Sequence, residues 1–201
     1  MIIYYTNEFA GGRTESHRLL EKALAVHTGD EERAKTLIGA LKKGEHGKPY
    51  IEGFSCFSIS HTGGIWAVLF ADCSECGLDI QLRKECDFRA IARRWFTTED
   101  AALVSSIDND AEACDLFFRI WARREALVKA LGGAVYDTDI PPVAGSADYP
   151  AEYHTEGCRN DAFSGNYVIS DIMIPGMPDL YAAMCIYKNE KASELRFARL
   201  Q

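Results

Sequence analysis

"CFSISHTGGIWAVLFA" (56–71) decides the fold. Two apolar-rich runs flank HTGG, and the paired glycines allow a tight reversal, so the stretch predicts an antiparallel hairpin with His61 at its turn. A third run, "CGLDIQL" (76–82), follows after DCSE and reads as another, mostly buried strand. It carries Asp79 between Leu78 and Ile80. A carboxylate there is costly unless something nearby holds its charge. Gln81 lies two residues on, so its side chain shares Asp79's side of the strand.

Working outward, residues 1–6 read as a strand. "RTESHRLLEKALAVH" (13–27) places Leu19, Leu20, Ala23, Leu24 and Val26 at helical spacing. A second helix is predicted over 31–43, striped by Ala34, Leu37, Ile38 and Leu41, and "GEHGKPY" (44–50) then reads as a turn. Beyond the strands, Asp87 can N-cap a helix reaching Phe96, with Phe88, Ile91, Ala92 and Trp95 inward and Arg89 and Arg93 outward. Thr97 and Asp100 have the spacing of a capping box. A polar stretch (105–113) leads into a long helix over about 111–131, ended by Gly132 and Gly133. The chain then reads as loop-rich until "YVISDIM" (167–173) and "LYAAMCIY" (180–187), a second hairpin joined by IPGMPD. "ELRFARL" reads as a final edge strand. Helices plus an antiparallel sheet occur twice, which is α+β and not alternating βαβ. The expected division is 1–92 and 93–201.

The 201 residues are 47% hydrophobic and 26% charged, the balance of a globular chain with a proper core. The net charge of −8, with no basic–aromatic surface pattern, disfavours nucleic acid. Arg83, Lys84, Arg89, Arg93 and Arg94 nevertheless crowd one stretch, and Lys42, Lys43 and Lys48 another; either could receive an anion. Seven irregularly spaced cysteines give no disulfide framework, and the lone CxxC of Cys73 and Cys76 has no partner motif for zinc. "MIIYYTNEF" has no signal-peptide pattern, and "IWAVLFA" is too short to span a bilayer. The expectation is a cytoplasmic protein with no membrane partner.

The chemistry gathers around "WARREALVKALGG" (121–133), where Trp121, Glu125 and Lys129 share one helix face. Taken alone, Glu125 and Lys129 read as an ordinary solvated ion pair. Combined with Asp79 and Gln81 they offer hard oxygen donors suited to Mg²⁺ and a cation suited to phosphate. No GxxxxGK[ST] is present, so a P-loop is excluded. Phosphoryl-group chemistry is the expectation.

"GKPY" (47–50), "FSISHTG" (57–63), "GLDIQ" (77–81), "WF" with "TTED" (95–100) and "WARREALVKALGGAV" (121–135) together resemble the 4′-phosphopantetheinyl transferases. The match is nearest to their larger, monomeric, surfactin-synthetase-activating type. It runs from about 44 to 136, and more loosely through "SHRLLEKAL" and the last hairpin. The resemblance implies a pseudo-dimer of two similar α+β halves with the active site in the cleft between them. It implies transfer of 4′-phosphopantetheine from coenzyme A to a serine of an apo acyl- or peptidyl-carrier protein. Asp79 and Glu125 would bind Mg²⁺, with Mn²⁺ as the alternative metal, and Gln81 would take the place of the usual second acid. Lys129 would contact the pyrophosphate, His61 with Ser60 a phosphate, Lys48 and Pro49 the nucleotide, and Arg18 the same ligand. Glu125 is the first choice of base and Glu99 the second. The carrier would dock over 83–96, using the basic residues and Phe88. Two departures stand out: Gln81 contributes no charge, and Arg124 replaces the usual lysine before Glu125. A CoA-binding homologue with weakened catalysis is the alternative reading.

Overall fold

The computed structural model describes residues 1–44, 46–133, 140–144, 151–154, 166–187 and 194–201. Its elements are β1 (Ile2–Thr6), α1 (Arg13–Thr28), α2 (Glu31–Gly39), β2 (Lys42–Lys43), β3 (Pro49–Tyr50), β4 (Cys56–Thr62), β5 (Ile65–Ala71) and β6 (Cys76–Leu82). They continue with α3 (Phe88–Trp95), α4 (Thr98–Ser106), α5 (Asp110–Leu131), β7 (Ala151–His154), β8 (Asn166–Asp171), β9 (Leu180–Tyr187) and β10 (Arg196–Arg199). One four-stranded sheet has the order β10-β1-β5-β4 and a second β6-β9-β8-β7. Every pairing is antiparallel except β1 with β10, which is parallel.

The opening hairpin explains the layering. In β5, Trp66, Val68 and Phe70 face one way and pack on Leu19, Leu20, Ala23 and Leu24 of α1. Ala67, Leu69 and Ala71 face the other way and meet Leu78 and Ile80 of β6 and Ala182 and Met184 of β9. Period-two alternation thus gives one strand two apolar faces, each with its own partner. β9 repeats the device: Ala183 and Cys185 point away from the first sheet, into a core with Phe117, Ala126 and Leu127 of α5. The architecture is mixed α+β, with two sheets packed together and helices on their outer faces.

Helix ends follow their capping residues. Asp30, Asp87, Thr97 and Asn109 each accept a backbone N–H at a helix start, and Gly132 ends α5 in the left-handed conformation. The capping-box expectation at 97–100 holds for Thr97, but the Asp100 carboxylate turns elsewhere, to the amides of Val143 and Ala144.

Several expectations are corrected. The helix predicted over 31–43 ends at Gly39, and Lys42–Lys43 pairs with Pro49–Tyr50 inside the supposed turn. Strand pairing there overrides local helix preference. His61 lies within β4, opposite Trp66, and Gly63–Gly64 makes the reversal. Arg89 does not face solvent; it caps the C-terminal carbonyls of α4 at Val104 (3.0 Å) and Ile107 (2.8 Å) and pairs with Asp110. The loop-rich reading of 134–166 falls mostly outside the described residues; within it, β7 pairs with β8. β6 is an edge strand of the second sheet and β10 an edge strand of the first.

Candidate active site

The site forms where the edges of the two sheets meet. β6 pairs with β9 on one side only, so its other edge would carry unpaired amides. β4 supplies side chains instead: Ser58 Oγ accepts from Leu78 N (3.0 Å), Ser60 Oγ from Ile80 N (3.2 Å) and Thr62 Oγ1 from Leu82 N (3.4 Å). This hydroxyl ladder, every second residue of "SISHT", fixes Ser60 beside Asp79. The opposite face of β6 presses on α5. A Cβ on Gly77 would lie 1.8 Å from the Ala126 carbonyl oxygen, so only glycine permits this approach. The approach brings Lys129 over the strand.

Asp79 is 2% exposed. Its Oδ1 accepts from Lys129 Nζ (2.7 Å) and Ser60 Oγ (2.9 Å), and its Oδ2 from Gln81 Nε2 (2.9 Å). Lys129 also donates to Ser60 Oγ and the Leu78 carbonyl, both at 3.0 Å. The buried carboxylate is therefore held by a lysine from the long helix. The simple reading of Lys129 as Glu125's helical partner is corrected: its ion pair is with Asp79. Gln81 points the way the strand alternation requires and donates to Asp79.

Glu125 is half-buried one turn earlier on α5. Burial, and then the negative charge of Asp79, push its carboxyl up to about 7, against the opposing pull of Lys129 and Arg124. It can therefore hold or release a proton near neutrality. Asp79, Glu125 and the Gln81 amide form a small set of hard oxygen donors, the chemistry a divalent cation takes when water and phosphate complete its shell. Among the described residues no three His, Cys, Asp or Glu side chains cluster as a ready-made metal site.

Lys48 reaches the same seam from the β2–β3 hairpin. Its Nζ donates to the carbonyls of Cys76 (3.0 Å) and Ala130 (3.1 Å), tying β6 to the end of α5. With Pro49 it lines a groove of about 410 Å³ that includes Tyr50, Phe54, Cys56 and Cys73. A larger groove, about 710 Å³, lies past the end of β6 and is lined by Arg83, Asp115, Arg119, Asp171, Met173 and Tyr181. No sequence signal marked it, because its walls come from segments far apart in the chain.

The other predicted residues lie outside the Asp79 network. His61 is exposed on the face of β4 opposite Ser60, its ring 5.1 Å from that of Phe9. Arg18 is exposed and clasps Glu15 at 2.7 and 2.8 Å. Glu99 is exposed in the first turn of α4. In the 83–96 stretch, Arg83 pairs with Asp115 and Arg89 with Asp110, and Phe88 is partly buried against Phe117. Lys84, Arg93 and Arg94 remain as its exposed cations, Arg94 lying over the Trp95 ring.

A family model for the 4′-phosphopantetheinyl transferase superfamily matches residues 75–144, which carry β6, α3, α4 and α5. The chain is 29% identical over 135 residues to the 4′-phosphopantetheinyl transferase AcpT of Salmonella typhimurium, covering 66% of this chain and 68% of that protein. It is 35% identical over 96 residues to AcpT of Escherichia coli K12, covering 46% of this chain and 49% of that one. It is 30% identical over 96 residues to the 4′-phosphopantetheinyl transferase gsp of Aneurinibacillus migulanus, covering 48% and 39%. The chain thus spans about two thirds of the Salmonella protein's length and about half of the E. coli protein's. Asp79, Glu125 and Lys129 of the seam lie within the segment matched by the family model. The chain is similar to the 4′-phosphopantetheinyl transferase superfamily over these stretches.

Proposed function

We propose that the protein transfers 4′-phosphopantetheine from coenzyme A to a serine hydroxyl of an apo acyl- or peptidyl-carrier protein, with adenosine 3′,5′-bisphosphate as the other product. The observation that carries this reading is the Lys129–Asp79–Ser60 contact beside Glu125, of which Asp79, Glu125 and Lys129 lie inside the segment that matches the family model.

The serine oxygen attacks the phosphorus bearing the pantetheine arm, the bond to the departing nucleotide phosphate breaks, and the serine proton passes to a base. Glu125, directly or through water, is the first candidate for that base, and Glu99 is the second. Lys129 steadies charge growing on the leaving phosphate. Asp79 and Glu125 would hold Mg²⁺, or Mn²⁺, with Gln81 beside them. The metal, when bound, neutralises pyrophosphate charge. Lys48 and Pro49 would line the nucleotide end, with Ser60, His61 and Arg18 contributing phosphate contacts once ligand is present. The carrier would dock over 83–96 through Lys84, Arg93 and Arg94. The pseudo-dimer with an inter-half cleft, the division at 92/93, the monomeric state and a cytoplasmic location belong to the same reading. No helix among the described residues is long and apolar enough to cross a membrane.

The test incubates recombinant protein with coenzyme A, Mg²⁺ and a panel of apo carriers, followed by intact mass. Gain of one phosphopantetheine per carrier is the expected result. Coenzyme A binding with every carrier unmodified would favour the alternative, a homologue with weakened catalysis.

A further inference from the structure

Two lysines fasten α5 to one edge of β6. Residues 78, 80 and 82 turn their amides toward β4, so the carbonyls of residues 76 and 78 leave by the same edge. Lys129 Nζ takes the Leu78 carbonyl and Lys48 Nζ the Cys76 carbonyl, each at 3.0 Å. The second acceptor of Lys48 is the Ala130 carbonyl at 3.1 Å. Ala130 lies in the last turn of α5, where carbonyls have no partner within the helix. The amides of Gly132 and Gly133 fold back onto Lys129 and Val128, which leaves Ala130 to Lys48. A cation there also meets the negative end of the helix. Lys48 thus satisfies one carbonyl on a strand edge and one at a helix end, and joins the two.

We propose that Lys48 is a positioning residue: it sets α5 along β6 so that Lys129 meets Asp79. At Gly77 the helix backbone lies on a strand position with no side chain, so nothing there interlocks to resist sliding. A shift of about 1.5 Å, one residue's rise along the helix, would part Lys129 from Asp79. Lys48 grips the residue next to Lys129 on one side and the residue next to Gly77 on the other. Its own backbone is held by the β2–β3 hairpin, where Gly44 N donates to the Lys48 carbonyl at 2.8 Å. The role rests on the transfer reading only for its effect on rate; the seating of Lys129 is independent of it.

The experiment compares the full chain with Lys48→Met, which keeps the side-chain length and removes the donors. Lys48 is only part-buried, so water can reach the freed carbonyls and the variant should fold. Both proteins are treated with N-hydroxysuccinimidyl acetate, and each lysine is followed by peptide mass, with the exposed Lys35 as reference. Lys129 should be acetylated about fivefold faster in Lys48→Met, with Lys35 unchanged. In carrier modification, kcat should fall about tenfold while KM for coenzyme A stays the same. Lys48→Arg, which keeps donors for both carbonyls, should restore the protection of Lys129 to within about twofold. Should the Met variant not fold, the same two measurements on Lys48→Gln decide, with smaller changes in the same directions.

A raised KM with unchanged kcat would make Lys48 a ligand contact and overturn the proposal. A lower melting temperature with Lys129 labelling and kcat unchanged would make it a stabilising residue only, and overturn it equally. If the parent protein modifies no carrier, the transfer reading fails, and the labelling of Lys129 still decides whether Lys48 seats it.

Discussion

Among the described residues two aspartates are almost completely buried, and they are held in opposite ways. Asp100, 1% exposed, accepts two backbone amides, Val143 N and Ala144 N, each at 2.9 Å. Asp79, 2% exposed, accepts from three side chains, of which the shortest contact is the Lys129 ammonium. Backbone donors are fixed by the fold and leave only when it does. Side-chain donors can swing away and be replaced. Asp100, with Arg123 bridging Asp171 to the Val143 carbonyl, therefore fastens a segment to the second half of the chain. Asp79 holds a cation that another cation could displace, and that is the property a phosphate-handling site needs.

The largest effect should come from Asp79→Asn. It keeps the side-chain shape and removes the charge on which Lys129 and any metal depend. Phosphopantetheine transfer should fall by about a thousandfold, and breaking this buried ion pair should cost about 2 to 3 kcal/mol of stability without unfolding the chain. Initial transfer rates together with thermal melts measure both. A variant that unfolds would put Asp79 in the same structural class as Asp100. Next, Asp100→Ala strands two buried amides and should cost about 3 kcal/mol of stability. Its transfer rate per folded molecule should match the parent; a rate loss at full folding would break the contrast from the other side.

Glu125 sharpens the comparison through pH. Its folded carboxyl is raised from 4.5 to about 7, so the native state holds that proton more tightly than the unfolded chain. The stabilising contribution is complete below about 4.5, shrinks as pH rises, and is gone above about 7. Metal-free protein should lose on the order of 2 kcal/mol through this group between pH 5 and 8, part-exposure having been allowed for. Glu125→Gln should flatten that portion of the profile while abolishing transfer. Denaturation curves at both pH values provide the check, and parallel profiles would show that neither burial nor the Asp79 charge raises the Glu125 carboxyl.

What the sequence revealed was local. Alternation in IWAVLFA and CGLDIQL located β5 and β6, and Asp87, Thr97 and Gly132 marked helix ends that the structure keeps. The shared face of Asp79 and Gln81 was also legible, because two residues along a strand return to the same side. Hidden were the partners that tertiary structure selects. Local spacing assigns Lys129 to Glu125, four residues away, yet it bonds Asp79, fifty residues away. Nothing near Arg89 announces that it will cap α4, and nothing near Lys42 announces a strand partner at Tyr50. The Gly77 requirement arises only once α5 lies on β6. The SxSxT spacing was visible, but its meaning depends on β6 being an unpaired edge next to it.

The smallest predicted effect concerns Gln81 and isolates the electrostatics of Asp79. Its Nε2 donates to Asp79 Oδ2 at 2.9 Å, so the native amide steadies the carboxylate. In Gln81→Glu that donor becomes a second negative charge within contact distance, with Lys129 the nearby cation. Without metal the two carboxylates repel, and the melting temperature should drop by a few degrees. With metal the same repulsion is relieved by a shared cation, so Mg²⁺ affinity should tighten by about tenfold, worth roughly 1.4 kcal/mol. Calorimetric titration of Mg²⁺ beside metal-free melts reads both signs at once. A lower melting temperature with unchanged affinity would make Gln81 a positioning residue for Asp79 alone, and the cation would then sit on the Glu125 side of the carboxylate.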